Sequence, residues 1–407
     1  MGADSLHTFF REYLQKEPFF LDKKALQSQY MPETIEHREE QQQQLAQILA
    51  PCLRVERGSN IFTYGNTGAG KTLTIKYIQN TLQRIASQSA IPLRIAYINC
   101  KLKRVADTEY RLIAQATKEI EDATGKPIPA TGLPTDEVYK KFYEAVDRKE
   151  QAVILILDEI DQLIKKVGDG VLYNLIRMND ELARAKLTLI GISNDTKLLE
   201  NLDPRVKSSL FSEALHFPQY NAMQIQDILR KRSSVAFRQG AVGTGVIEKC
   251  SALAARDQGD ARRAIDLLRV AGELVEREGG EQIAIKHIDS AEEKIEKDCL
   301  VDLVAAQTRQ FHAVLYALIS SRRDGPLNTG TIYTIYKGIC AKVALPPLTQ
   351  RRVSDIISEC DGLGIITLNV ISKGRYGRTS EICLTISESA IFRISELLRK
   401  SLDLGEE

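Results

Sequence analysis

The sequence predicts an α/β chain: a parallel sheet wrapped by helices, then an all-α domain, then a winged helix-turn-helix. Three observations carry this. A glycine-rich loop, Gly65–Thr72, sits between a short apolar strand and an amphipathic helix. A continuous apolar run, Val153–Leu157, ends in Asp158-Glu159-Ile160-Asp161. From about residue 306, three helical patterns lead into two strands joined by a basic, glycine-containing tip.

Residues 1–28 read as a peripheral helical extension. From 29 to 217 short apolar runs alternate with amphipathic helices, the pattern of a parallel sheet with helical crossovers. The expected strands are Ile61–Tyr64, Leu93–Ile98, Val153–Leu157, Leu187–Ile192 and Ala214–Phe217. Gly65-Asn66-Thr67-Gly68-Ala69-Gly70-Lys71-Thr72 fits the phosphate-loop pattern G-x-x-x-x-G-K-S/T. Its glycines let backbone N–H groups turn toward one phosphate chain. Lys71 brings charge to the β- and γ-phosphates, and Thr72 offers a hydroxyl to Mg²⁺. Ile75, Ile78, Leu82 and Ile85 then recur at helical spacing, which puts a helix N-terminus under the phosphates. The apolar run to Leu157 suits a strand buried on both faces. Ligands of open α/β sheets sit at the carboxyl ends of strands. Asp158 is therefore placed to hold Mg²⁺ with Thr72, and Glu159 to orient or deprotonate an attacking water. Between Asn99 and Tyr143 the chain is longer than a crossover needs, which suggests an insertion.

From 218 to 300 every apolar pattern is helical, so a separate helical lid is expected. Its helix from Gly259-Asp260 buries Ala264, Leu267, Leu268 and Ala271, with Arg262 and Arg263 in the first turn. The helix dipole disfavours cations there, and an anion outside the helix would reverse that cost. From 301 to 407 the pattern is Gln310–Ser320, Gly330–Val343 and a third helix capped by Thr349, then strands Ile365–Ile371 and Ile382–Ile386. Val353, Ile356, Ile357 and Cys360 form the third helix's buried stripe, leaving Arg351, Arg352 and Ser354 outward. That helix would enter a major groove, and the tip with Lys373, Arg375, Tyr376 and Arg378 would grip phosphate or a minor groove.

Net charge is only +1, so nucleic-acid binding has to come from local patches such as these. No apolar run approaches membrane-spanning length, and none at the N-terminus reads as a signal peptide, so a cytoplasmic, nucleoid-associated protein with no membrane partner is expected. The cysteines, 7 in all, are scattered without C-x-x-C pairs and read as reduced thiols. No metal other than nucleotide-bound Mg²⁺ is expected.

With these parts in order, the chain resembles the archaeal replication initiators of the origin-recognition-complex and cell-division-cycle type, which are AAA+ ATPases with a winged-helix domain. Tyr30-Met31-Pro32-Glu33-Thr34-Ile35-Glu36-His37-Arg38-Glu39-Glu40 is similar to the family's adenine-side motif, which implies nucleotide contacts from Tyr30, His37 and Arg38. Leu189–Asp195 resembles sensor 1, with Asn194 at the γ-phosphate or the attacking water. Gly259–Ala264 resembles sensor 2, with Arg262 reaching the γ-phosphate from the lid. Thr349–Asp355 and Gly374–Arg378 resemble the recognition helix and wing. Thr131–Val138 falls where initiators carry a DNA-touching insertion. Leu202–Leu210 keeps Arg205 as a candidate arginine finger acting in trans, but has Ser209-Leu210 where many relatives have arginine and phenylalanine. That departure implies slow turnover, with nucleotide state acting as a switch.

The resemblance implies an ATP- or ADP-bound, Mg²⁺-dependent initiator on duplex origin DNA, acting with other copies and recruiting or loading the minichromosome-maintenance helicase. Two alternatives stay open on the sequence. One is a branch-migration motor, which joins the same three domain types. The other is a signalling ATPase whose winged helix binds protein.

Overall fold

The structure, a computed structural model, describes residues 17–101, 106–121, 128–129, 132–198, 212–321, 327–372, 378–386 and 388–404, with residues 7, 11, 202 and 207. The chain divides into two compact units, 1–288 and 289–407.

The first unit is built on five strands: β1 (Ile61–Gly65), β2 (Leu93–Asn99), β3 (Ala152–Asp158), β4 (Lys186–Ser193) and β5 (Glu213–Phe217). All are parallel, in the order β2-β3-β4-β1-β5. β3 is buried along its whole length. Side chains alternate across a strand, so Val153, Leu155 and Leu157 join one core with Leu112 and Phe142, while Ile154 and Ile156 join another with Leu45 and Ile75. Register brings the carboxyl ends together: Tyr64 pairs with Ser193, and Asp158 with Ile192. The loop after β1, the acidic turn after β3 and Asn194 after β4 thus share one edge of the sheet.

The helices of this unit are α1 (Glu39–Leu49), α2 (Lys71–Gln88), α3 (Glu109–Ile120), α4 (Thr135–Val146), α5 (Ile160–Val167) and α6 (Gly170–Glu181). Three more form the lid: α7 (Ala222–Ala236), α8 (Val246–Arg256) and α9 (Ala261–Glu278). The extra chain between β2 and β3 contains α3 and α4. Thr131 lies outside the described residues. Thr135–Val138 is the first turn of α4, with Asp136 and Glu137 exposed and Val138 fully buried.

Residues 17–28 correct the expectation of a peripheral helix. This stretch holds one 3-10 turn, Lys23–Leu26, and is pinned to the lid. Phe20 bridges Phe237, the Leu21 N–H donates to Ala236 O at 2.8 Å, and Ala25 and Leu26 are fully buried. The aromatic pair gains more from burial against Phe237 than a lone helix could gain from its own turns.

The second unit starts within α10 (Ile285–Ala305), which also runs through the expected boundary at 300. It continues as α11 (Arg309–Ser320), β6 (Leu327–Asn328), α12 (Thr329–Lys342), α13 (Gln350–Gly362), β7 (Ile366–Ser372), β8 (Arg378–Leu384) and α14 (Glu388–Leu402). The sheet order is β6-β8-β7, antiparallel, and Phe311, Leu315, Ile332, Tyr336, Val353 and Ile357 share its core. The returning strand begins before the expected Ile382, because pairing extends up the hairpin to Ser372 opposite Arg378.

Candidate functional site

The loop after β1 is shaped by what lies behind it. Gly68 has φ +73, and a Cβ there would stand 1.9 Å from Asp260 Oδ1 on the lid. Gly70 has φ +88 and caps α2, where a Cβ would stand 2.6 Å from Tyr220 Oη. Only glycine meets both demands, a left-handed backbone and no side chain. Lys71 is 4% exposed, and its Nζ donates to Gly65 O and Asn66 O at 2.8 Å each. Burial first, then the charge of Arg262, lowers its pKa to about 8 against the pull of Asp158, Asp161 and Asp260. An ammonium disfavoured by burial is matched by an anion such as a phosphate chain.

Asp158 ends β3, and both of its oxygens are engaged. Oδ2 accepts from Thr72 Oγ1 at 3.0 Å and from Tyr97 Oη at 2.5 Å, and Oδ1 accepts from the Glu159 N–H at 2.9 Å. A hydroxyl beside a carboxylate is a donor set for a hard divalent cation, and Thr72 and Asp158 are the residues that would hold Mg²⁺. Glu159 takes the left-handed conformation, φ 55 and ψ 47. That costs a non-glycine residue about 1–2 kcal/mol and lifts its carboxylate out of the strand line toward the cleft. Lys101 Nζ lies 4.0 Å from Glu159 Oε2. Asp161 is 4% exposed and ties two motifs together, since its Oδ1 accepts from Ser193 Oγ and from the Asn194 N–H at 3.3 Å each. The exposed Asn194 is thereby anchored to the acidic turn.

A cleft of about 730 Å³ runs from this edge between sheet and lid. Gly68, Thr72 and Arg262 line it, as do Tyr30, Ile228 and Val235. A lining of both polar and apolar groups suits a molecule that carries phosphates and a flat ring. Asp260 caps α9 by accepting the Arg262 N–H at 2.8 Å. Of the two first-turn arginines, Arg263 pairs with Asp257 at 2.9 Å, while Arg262 is exposed to the cleft.

Two residues expected beside the adenine also have partners within the protein. His37 Nε2 lies 3.1 Å from Asp227 Oδ2 on the lid helix α7. Arg38 is 2% exposed and works behind the loop, with Nε donating to Ala69 O at 2.9 Å, Nη1 to His37 O at 2.7 Å and Nη2 to Pro218 O at 2.6 Å. Its guanidinium stacks 3.8 Å from the Tyr220 ring. Three carbonyls thus take up the planar fork of this buried guanidinium. Sequence reasoning gave Asp161 and Tyr97 no role. Asp161 stood in the quoted acidic turn, but nothing local fixes the register that brings Tyr97 to Asp158. Arg205 lies outside the described residues.

In the second unit Thr349 Oγ1 accepts the Arg352 N–H at 3.4 Å, capping α13. Arg351 and Arg352 are exposed in its first turn, with Arg352 Nη1 3.5 Å from Asp355 Oδ2. Ser354 Oγ donates to Gln350 O at 3.0 Å, so its proton is spent on the helix itself. Val353, Ile356, Ile357 and Cys360 face inward. Arg378 opens β8. Lys373, Arg375 and Tyr376 lie outside the described residues.

Three stretches match described domains in chain order: an AAA domain over residues 54–199, a Cdc6 AAA+ ATPase-type lid domain over 226–293, and a CDC6 C-terminal winged helix domain over 302–393. The ORC1-type DNA replication protein of Pyrococcus furiosus is 48% identical over 97% of this chain and 93% of its own. The chain belongs to the ORC1-type DNA replication protein family. ORC1-type DNA replication protein 1 of Methanosarcina mazei is 47% identical over 94% of this chain and 92% of its own. Among solved structures, that of the Aeropyrum pernix ORC1 protein in complex with DNA is similar at TM-score 0.80 and 39% identity, covering 95% of this chain and 98% of that one. The ORC1-type fold is therefore the one seen here, with a five-strand AAA+ domain, a helical lid and a C-terminal winged helix domain. Among the described residues no helix is long and apolar enough to cross a membrane.

Proposed function

We propose that this ORC1-type protein is an ATP-dependent replication initiator that binds duplex origin DNA and recruits or loads the replicative minichromosome-maintenance helicase, together with other initiator copies. The observation that carries the nucleotide part is convergence on one cleft. Thr72 of the loop, Asp158 at the end of β3, Glu159 after it and Arg262 of the lid line it, with Lys71 held at the loop's carbonyls and Asn194 tied through Asp161 to the acidic turn. Mg²⁺, when bound, supplies charge neutralisation on the phosphates. Lys71 and the N-terminus of α2 bind the phosphate chain, Glu159 takes the proton of the attacking water, and Asn194 orients that water. Arg262 reports the γ-phosphate to the lid, so the nucleotide state is a switch. The capped helix α13, with exposed Arg351 and Arg352, supports reading of a major groove, and the Aeropyrum pernix relative was solved with DNA.

Footprinting on chromosomal fragments tests this, with and without ATP. An initiator protects a few discrete repeats. A branch-migration motor would assemble rings and translocate without such sites. Duplex left wholly unprotected would favour a protein-binding winged helix and overturn the DNA part of the reading.

A further inference from the structure

Tyr97 lies on β2, and neither the family motifs nor the chemistry above gives it a task. Its hydroxyl donates to Asp158 Oδ2 at 2.5 Å, the same oxygen that accepts the Thr72 hydroxyl at 3.0 Å. With the Glu159 N–H on Oδ1 at 2.9 Å, three donors from three separate stretches of chain fix one carboxylate. We propose that Tyr97 is a positioning residue, holding the Asp158 carboxylate in the orientation that a nucleotide-bound divalent cation requires. The proposal rests on the nucleotide reading of the cleft.

The two hydroxyls on Oδ2 are not equivalent. The Thr72 hydroxyl is itself a cation ligand in the phosphate-loop pattern, offering a lone pair to the cation while its proton goes to Asp158. Tyr97 carries no such second duty. Lys76 Nζ sits 4.5 Å from the centre of the Tyr97 ring, which draws electron density from the phenol and strengthens its O–H as a donor. Groups that orient a cation's carboxylate in this way typically account for about 10–100-fold in metal affinity.

The test uses full-length Tyr97→Phe, which keeps the ring and its contact with Lys76 and removes only the hydroxyl. A non-hydrolysable ATP analogue is titrated calorimetrically into wild type and variant, in EDTA and across a Mg²⁺ series. The expected result is unchanged affinity in EDTA, with the Mg²⁺ needed for half-maximal enhancement raised about tenfold or more. Identical Mg²⁺ curves for the two proteins would overturn the proposal while leaving the cleft as a nucleotide site. Equal loss with and without Mg²⁺ would also overturn it, by making the hydroxyl a structural prop. Wild-type protein without Mg²⁺-dependent binding would overturn the reading of the cleft, and this inference with it.

Discussion

Lys71 and Arg38 are both buried cations, and among the described residues both are held by carbonyl oxygens. The consequences of removing them differ. Lys71→Ala deletes a charge that the folded protein already disfavours, so the fold survives while nucleotide binding is lost, as calorimetry would register. Arg38→Ala leaves the buried Ala69 carbonyl and the part-buried Pro218 carbonyl without this donor, and should cost about 3 kcal/mol in denaturant unfolding. Arg38→Lys cannot span both carbonyls at once and should recover only part of that. Glu159→Gln should still bind ATP but slow hydrolysis by about 100-fold or more in single-turnover assays. An unchanged rate would remove Glu159 from the reaction. At this scale the sequence showed whatever is encoded by local spacing: Gly65–Thr72, Asp158 and Glu159 stand where their motifs place them. It did not show contacts made at a distance. Tyr97 meets Asp158 across 61 positions and Arg38 meets Ala69 across 31, and neither pairing leaves a periodic trace.

At the level of elements, continuous apolar runs such as Val153–Leu157 gave the strands, because burial on both faces of a parallel sheet leaves no alternation to obscure. β6 has only 2 residues and offers no pattern at all. The N-terminal stretch misled for a different reason. Its apolar residues serve the lid helices, and a lone segment cannot reveal what it will be packed on. Lys23 Nζ lies 3.1 Å from Glu273 Oε1 of α9, which also accepts from Arg269 at 3.0 Å. Burial alone would raise the Glu273 pKa, but Lys23 and then Arg269 outweigh it and hold it below the ordinary carboxylate value. A depressed carboxylate stabilises the fold above that ordinary value, and the contribution fades as pH falls through the folded pKa. Glu273→Gln should therefore be less stable than wild type at neutral pH, with the gap closing below about pH 4 in pH-dependent melts. In the second unit, substituting whichever of Arg351 and Arg352 meets a base edge should cost about 1–3 kcal/mol and relax specificity. Removing Lys373, Arg375 or Arg378 singly should weaken binding to all duplexes alike and lower the salt slope by about one. A salt titration that leaves the slope untouched in the triple variant would take the wing off the DNA.

Across the first unit, one stretch of chain touches every part that nucleotide state is proposed to move. It begins against Phe237, passes Arg232, which donates to Ala25 O at 3.0 Å, and faces α7 again through Glu36–Lys231 and His37–Asp227. It ends at Arg38 behind the phosphate loop. Base and lid should accordingly melt in one calorimetric transition, with Phe20→Ala lowering it and costing about 3 kcal/mol. A lid that melts first in wild type would contradict this. The same layout bears on synthesis at the ribosome. Phe19 and Phe20 are made early, yet Phe237 and Glu273 follow more than 200 positions later. At roughly 5–20 residues per second that is a delay on the order of ten seconds or more. Throughout it an adhesive aromatic pair has no docking place, and for most of it β1 lacks its neighbours β4 and β5. Nascent chains of this protein should therefore engage holding chaperones at their leading end and release them only once α9 has emerged.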